Sequence, residues 1–130
     1  MAVDLVDAVV RLHADLATWL GSQAPAEVFE RFAAAQHERF SMVTIGGEVL
    51  GRGALLAGLR GARNSSPGLA IDVSEIEELL RAGGTAVVRF LETHRTDASV
   101  TRRRVTAVLT TDEPGGPRWL TVHETDSAPA

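Results

Sequence analysis

The chain has 130 residues, 45% of them apolar and 23% charged, with a formal net charge of −4; it is long enough for one domain with a real core and is composed like a soluble globular protein. The acidic balance argues against nucleic acid or an anionic membrane surface as a partner, and no apolar run reaches the roughly 18–20 residues needed to span a bilayer. Asp4 and Asp7 stand where a signal peptide would carry its basic region, so a cytoplasmic location is the expectation.

Leu5, Val9, Leu12, Leu16 and Trp19 recur at spacings of four and three, which predicts a helix over 4–20 stopped by Gly21. A second helix should begin near Pro25, with Glu27 favourable in its first turn and Val28, Phe29, Phe32, Ala33 and Gln36 on its buried face. The short connection makes the two helices a hairpin. Phe40 to Ile45 alternates and reads as a strand, followed by a Gly46-Gly47 turn. A glycine-interrupted third helix is expected over 54–63, and a loop over 64–68. From there the period changes. Segments 69–80, 85–96, 100–111 and 118–125 read as four strands, although 75–81 fits a helical period equally well. Their connections are too short for parallel crossovers, so the sheet should be an antiparallel meander. The tail over 126–130 is expected to fray.

Helices first and a long antiparallel sheet afterwards make an α+β architecture, expected as one domain over 1–130. The sheet should curl around the helices and leave a cone whose mouth can hold a ligand. Several segments carry a resemblance to a known family: Phe40-Ser41-Met42-Val43-Thr44 with Gly47-Glu48-Val49-Leu50-Gly51-Arg52, then Phe90-Leu91-Glu92-Thr93-His94, Arg103 to Leu109, and Trp119 to Thr125. In this order they resemble the nuclear transport factor 2-like superfamily. The likeness is to its small single-domain members of unknown function, related to the calmodulin-dependent kinase II association domain and to polyketide cyclases and ketosteroid isomerases. The resemblance implies a strongly curved sheet wrapped on a helical hairpin with a third short helix. It is close to silent on activity, because this fold hosts enzymes, ligand binders and assembly domains.

The residue inventory narrows the chemistry. There is no cysteine, lysine or tyrosine; all 13 basic residues are arginine. Thiolate and Schiff-base catalysis and the phenolic oxyanion donor of the isomerases are thereby excluded. Histidines and carboxylates are the remaining acid–base candidates. Glu92 and His94 lie two apart on a strand and share a face with Val88 and Phe90. Glu92 in such a setting is either a base with a raised pKa or half of an ion pair with an arginine. Arg103 shares a face with Val105, Ala107 and Leu109, so it points inward, either as an internal salt-bridge partner or as a clamp for a ligand carboxylate. His123 falls in phase with Trp119 and Thr121, and Glu124 in the opposite phase. Trp119 and His123 should therefore both face the pocket or both face an interface. His13, beside the stripe of the first helix, and His37, near the end of the second, read as packing and helix-end residues.

These readings predict a small-molecule-binding domain that forms a homodimer through its sheet. Trp19, Phe32, Val88, Phe90 and Trp119 are expected as the pocket wall, and Glu92, His94, Arg103 and His123 as its polar contacts. The partner would be a small apolar or carboxylate-bearing molecule, with neither nucleic acid nor membrane, and no cofactor or metal is expected. One alternative is an isomerase, cyclase or lyase that moves a proton next to a carbonyl, with Glu92 or His123 as base. The other is a pure homo-oligomerisation module.

Overall fold

The structure is a computed structural model that describes residues 4–127. Helix α1 (Leu5–Gly21) starts at Asp4, whose carboxylate accepts from the Asp7 backbone N–H at 3.0 Å and caps the helix. Helix α2 (Ala26–Ala34) follows, with Pro25 just outside its first turn. Strands β1 (Gln36–Val43) and β2 (Val49–Gly51) form a hairpin, and β2 runs directly into α3 (Arg52–Arg60). The long strands β3 (Ala70–Ala82), β4 (Thr85–Arg95), β5 (Val100–Thr110) and β6 (Arg118–Asp126) complete the chain. All lie in one open six-stranded sheet of order β2-β1-β6-β5-β4-β3.

The expected meander is present from β3 to β6, each strand antiparallel to the next. Outside the meander, β1 joins β6 in parallel. Gln36, expected on the second helix, instead opens β1, which starts four residues before the expected Phe40. The helix ends at Ala34, and the Trp119 N–H donates to the Ala35 carbonyl at 2.8 Å, which draws the chain into the sheet from Gln36 onward. The ambiguous 75–81 segment is strand. Two register shifts, between Ser74 and Glu77 and between Glu78 and Leu80, interrupt its alternation, and Glu75 takes a positive φ of 53°. Such bulges bend a strand and sharpen its twist, and by breaking the alternation they account for why the stretch fitted a helical period as well as a strand one. Of the tail, Asp126 belongs to β6 and the Ser127 N–H donates to Arg102; 128–130 lie outside the described residues.

One bulge decides the site. Leu109 pairs with Trp119, yet Val108 pairs with Thr121, so Leu120 has no partner on β5. The extra residue inverts the phase of everything after it. Trp119 faces the core, but Val122 and Glu124 are the next inward residues, and His123 is exposed. The shared orientation of Trp119 and His123 expected from simple alternation is therefore incorrect.

The core has two parts. Val9 and Leu5 of α1 pack with Phe40 of β1 and with the inner faces of β4, β5 and β6, where Val88, Phe90, Val105, Ala107 and Leu109 are buried. A smaller cluster joins Trp19, Ala24, Val28 and Phe29 in the helical hairpin. Gly21 ties the hairpin to the sheet: a Cβ there would meet the backbone N and O of Leu69 at 3.0 Å. Gly21→Ala is expected to destabilise by about 1–3 kcal/mol through that overpacking, read as a lower urea midpoint with an unchanged slope.

Candidate functional site

The alternation of β4 turns Ala86, Val88, Phe90, Glu92 and His94 to the inner face, and β5 sets Arg103 opposite Glu92 and Val105 opposite Phe90. Along this face the packing changes character. Ala86 and Val88 are completely enclosed, Phe90 and Glu92 border a cavity, and His94 lies partly open. The cavity measures about 210 Å³, smaller than the roughly 300–1,000 Å³ of sites for drug-sized ligands. Leu12, Leu16 and Leu20 of α1 and Leu55 and Leu59 of α3 close one side. Phe40 and Met42 of β1 and Val122 of β6 contribute to the sheet side.

A carboxylate between two imidazoles forms the polar end. Glu92 Oε2 lies 3.2 Å from His13 Nε2, and Glu92 Oε1 lies 2.5 Å from His94 Nε2. His13 Nδ1 is 2.7 Å from the Val9 carbonyl. A carbonyl can only accept, so Nδ1 carries a proton. When Glu92 is ionised, Nε2 must carry one too, and His13 is then an imidazolium. Burial pushes the Glu92 carboxyl up, but the hydrogen bonds and charge of His13 and His94 more than offset it and hold it well below the usual carboxylate range. The ring of His13 is fixed by edge contacts to Phe90 at 5.1 Å and Trp119 at 5.9 Å between centroids. His94 Nδ1 has no hydrogen-bond partner among the described residues.

On the neighbouring strands, Arg103 Nη1 approaches Glu124 Oε1 at 3.5 Å. Burial raises the Glu124 carboxyl above its ordinary value, outweighing Arg103, and the charge of Glu92 adds to the rise. Among the described residues no group of three or more His, Cys, Asp or Glu is arranged to hold a metal ion.

Of the residues singled out from sequence, Phe32, Phe90, Glu92, His94, Arg103 and Trp119 border the cavity. Three do not. Trp19 sits at the far end of α1 in the hairpin cluster, its ring 5.2 Å from Phe29 and its Nε1 donating to the Leu59 carbonyl. Val88 is two residues deeper than Phe90, in the closed core. His123 is turned out by the bulge at Leu120. Two ionisable cavity residues were not among those expected there. Glu124 is turned in by the same bulge. His13 continues Leu5 and Val9 at spacings of four, a signal that would have placed it on the buried face of α1.

No protein-family model matches the chain, and no curated protein matches it in sequence. Solved structures do resemble it. A nuclear transport factor 2-like protein of unknown function from Pseudomonas aeruginosa superposes with a TM-score of 0.90 at 27% identity, over 95% of this chain and 98% of that one. Another, of unknown function in nutrient uptake, from Rhodospirillum rubrum, gives 0.69 at 18% identity over 96% and 99%. A protein assigned as a calcium/calmodulin-dependent protein kinase type II association domain, from Thiobacillus denitrificans, gives 0.73 at 16% identity over 98% of both chains. The last two likenesses bear on fold alone.

Proposed function

The chain has the nuclear transport factor 2-like fold, and on that premise we propose that it is a small-molecule-binding protein whose ligand occupies the cone cavity. The observation that carries this reading is the cavity's construction: apolar walls that end in the buried Glu92–His13–His94 cluster. Keeping charged groups beside an apolar cavity wall costs stability, and a cleft with convergent polar groups is the usual form of a ligand site. Fold does not select among functions; the site's chemistry has to.

Amide NMR shifts during a titration with benzyl alcohol test the reading. Shifts are expected to gather at Leu16, Phe32, Phe90 and Val122, to persist in His123→Ala, and to vanish in Leu16→Trp, where an indole fills the space. Shifts scattered over the surface, or none, would sink it. A homodimer through the outer sheet face belongs to the same proposal. It is supported by the partly exposed Val87, Leu91 and Val108 on that face, and sedimentation equilibrium should return the mass of two chains.

An enzymatic reading draws support from one contact, the short His94–Glu92 hydrogen bond. A carboxylate behind an imidazole orients it and stabilises its charged form. Under that reading His94 is the base, because Glu92, held ionised by two histidines, is a weak one, and His123 faces away from the cavity.

A further inference from the structure

Among the described residues, Arg103 Nε is the one buried side-chain nitrogen or oxygen with no hydrogen-bond partner. A guanidinium carries five N–H donors in a planar fork, yet the one carboxylate ion-paired with it among the described residues is Glu124, at 3.5 Å. That is well beyond the ~2.7–2.9 Å of a charge-assisted hydrogen bond. Glu92, directly opposite on β4, already serves His13 and His94. The polar end of the cavity therefore holds a guanidinium whose Nε is unpartnered and whose pairing to Glu124 is loose, beside walls that are mostly apolar.

We propose that Arg103 anchors a small carboxylate with an apolar body, and that this carboxylate displaces Glu124, which takes up a proton from solvent in the exchange. The proposal rests on the cavity-binding reading above and adds the ligand's chemical class to it. A carboxylate matches the guanidinium fork with two parallel N–H···O bonds, while Phe32, Phe90 and Trp119 receive the apolar body. No covalent bond is made or broken.

The proton follows from the surroundings of Glu124. Arg103 faces it from β5, Glu92 and His94 from β4, and His13 from α1. Burial already disfavours its charged form. Once Arg103 turns to an incoming anion, Glu124 loses its cation while the negative charge of Glu92 still acts on it, and neutralisation relieves the repulsion. The complex then holds more protons than the free protein, so affinity falls as pH rises through the range in which bound-state Glu124 ionises.

Calorimetric titration of the full chain with benzoate and with benzyl alcohol, each in two buffers of different ionisation enthalpy, tests both parts. Benzoate is expected to bind the wild type on the order of tenfold more tightly than benzyl alcohol. Arg103→Met should erase that preference by weakening benzoate to the level of benzyl alcohol. Proton uptake should accompany benzoate in the wild type and disappear in Glu124→Gln. Benzoate binding no tighter than benzyl alcohol overturns the Arg103 anchor while leaving cavity binding intact. If neither probe binds, both readings fail. Uptake that persists in Glu124→Gln belongs to the histidines and overturns the exchange. The comparison of the two probes needs only the wild-type chain, so it decides the first part even where Arg103→Met does not fold.

Discussion

Replacing Glu92 by leucine is expected to lower stability by about 3–5 kcal/mol at neutral pH, the usual cost of breaking a buried ion pair from one side. His13 and Glu92 are 7% and 4% exposed at their side chains, so water cannot replace the lost partner. His13 would keep its bond to the Val9 carbonyl but would lose its partner at Nε2, leaving that nitrogen unpaired in a site walled by Phe90 and Trp119. Removing both partners should hurt less than removing one: the double variant His13→Leu/Glu92→Leu is expected to be more stable than Glu92→Leu alone. The loss should also depend on pH. The folded Glu92 carboxyl lies below its unfolded value of roughly 4.3. Its contribution is therefore complete above that value and is lost as pH falls through the folded one. The gap between the urea curves of wild type and Glu92→Leu should begin to narrow as pH falls below roughly 4.3 and go on narrowing toward the folded value. A gap that stays constant from neutral pH to about pH 3 would show that charge pairing is not its source.

Glu124 works in the opposite direction. Its folded carboxyl is raised, so the fold loses stability as pH rises through the range just above the ordinary carboxylate value. Two carboxylates on one inner sheet face thus carry stability slopes of opposite sign. The difference lies in their partners. Glu92 has two hydrogen-bonded imidazoles; Glu124 has one guanidinium at a distance.

The α+β order and the four long strands were legible because their signals are local. Periods of 3.6 and 2, Gly21 at the end of α1, and the Gly83-Gly84 turn each act within a few residues. The inward face of β4 was legible for the same reason, since no bulge interrupts Ala86 through His94. What escaped depends on pairing between distant segments. The parallel union of β1 with β6 joins Gln36 to Trp119 and cannot be read from either strand alone. The bulge at Leu120 left a faint trace. Thr121, His123 and Thr125 make one phase of β6 polar, and Trp119 in that same phase contradicts them. An extra residue between Trp119 and Thr121 resolves the contradiction, and it exchanges His123 for Glu124 inside the cone. A histidine offers both a donor and an acceptor nitrogen where an ionised glutamate offers acceptors only, so one unpaired residue changes which ligands the site can accept.

Phe90→Ala is expected to cost about 3–5 kcal/mol, a large share of the roughly 5–15 kcal/mol that stabilises a domain. Phe90 has no solvent-exposed surface and belongs to the larger core cluster. Its ring meets Trp119 edge-on at 6.1 Å and an interplanar angle of 89°, and meets His13 at 74°. Truncation removes the transfer free energy of the ring and leaves a void that the sheet on one side and α1 on the other cannot close, since the backbone of β4 is paired on both edges. The thermal midpoint should fall by on the order of 10–20 °C. Function should change along with it, because Phe90 separates the packed core from the cavity. Without the ring the cavity extends toward Val88, and His13 loses the edge contact that holds it over Glu92. Phe90→Leu retains most of the volume and should recover much of the stability. Thermal unfolding and benzyl alcohol binding, measured on both variants, separate the two roles. If Phe90→Ala weakens the fold but leaves the His13 ring signals and the probe's shifts unchanged, Phe90 supports the core without shaping the site. If both change together, one side chain couples the stability of the cone to the geometry of its polar end.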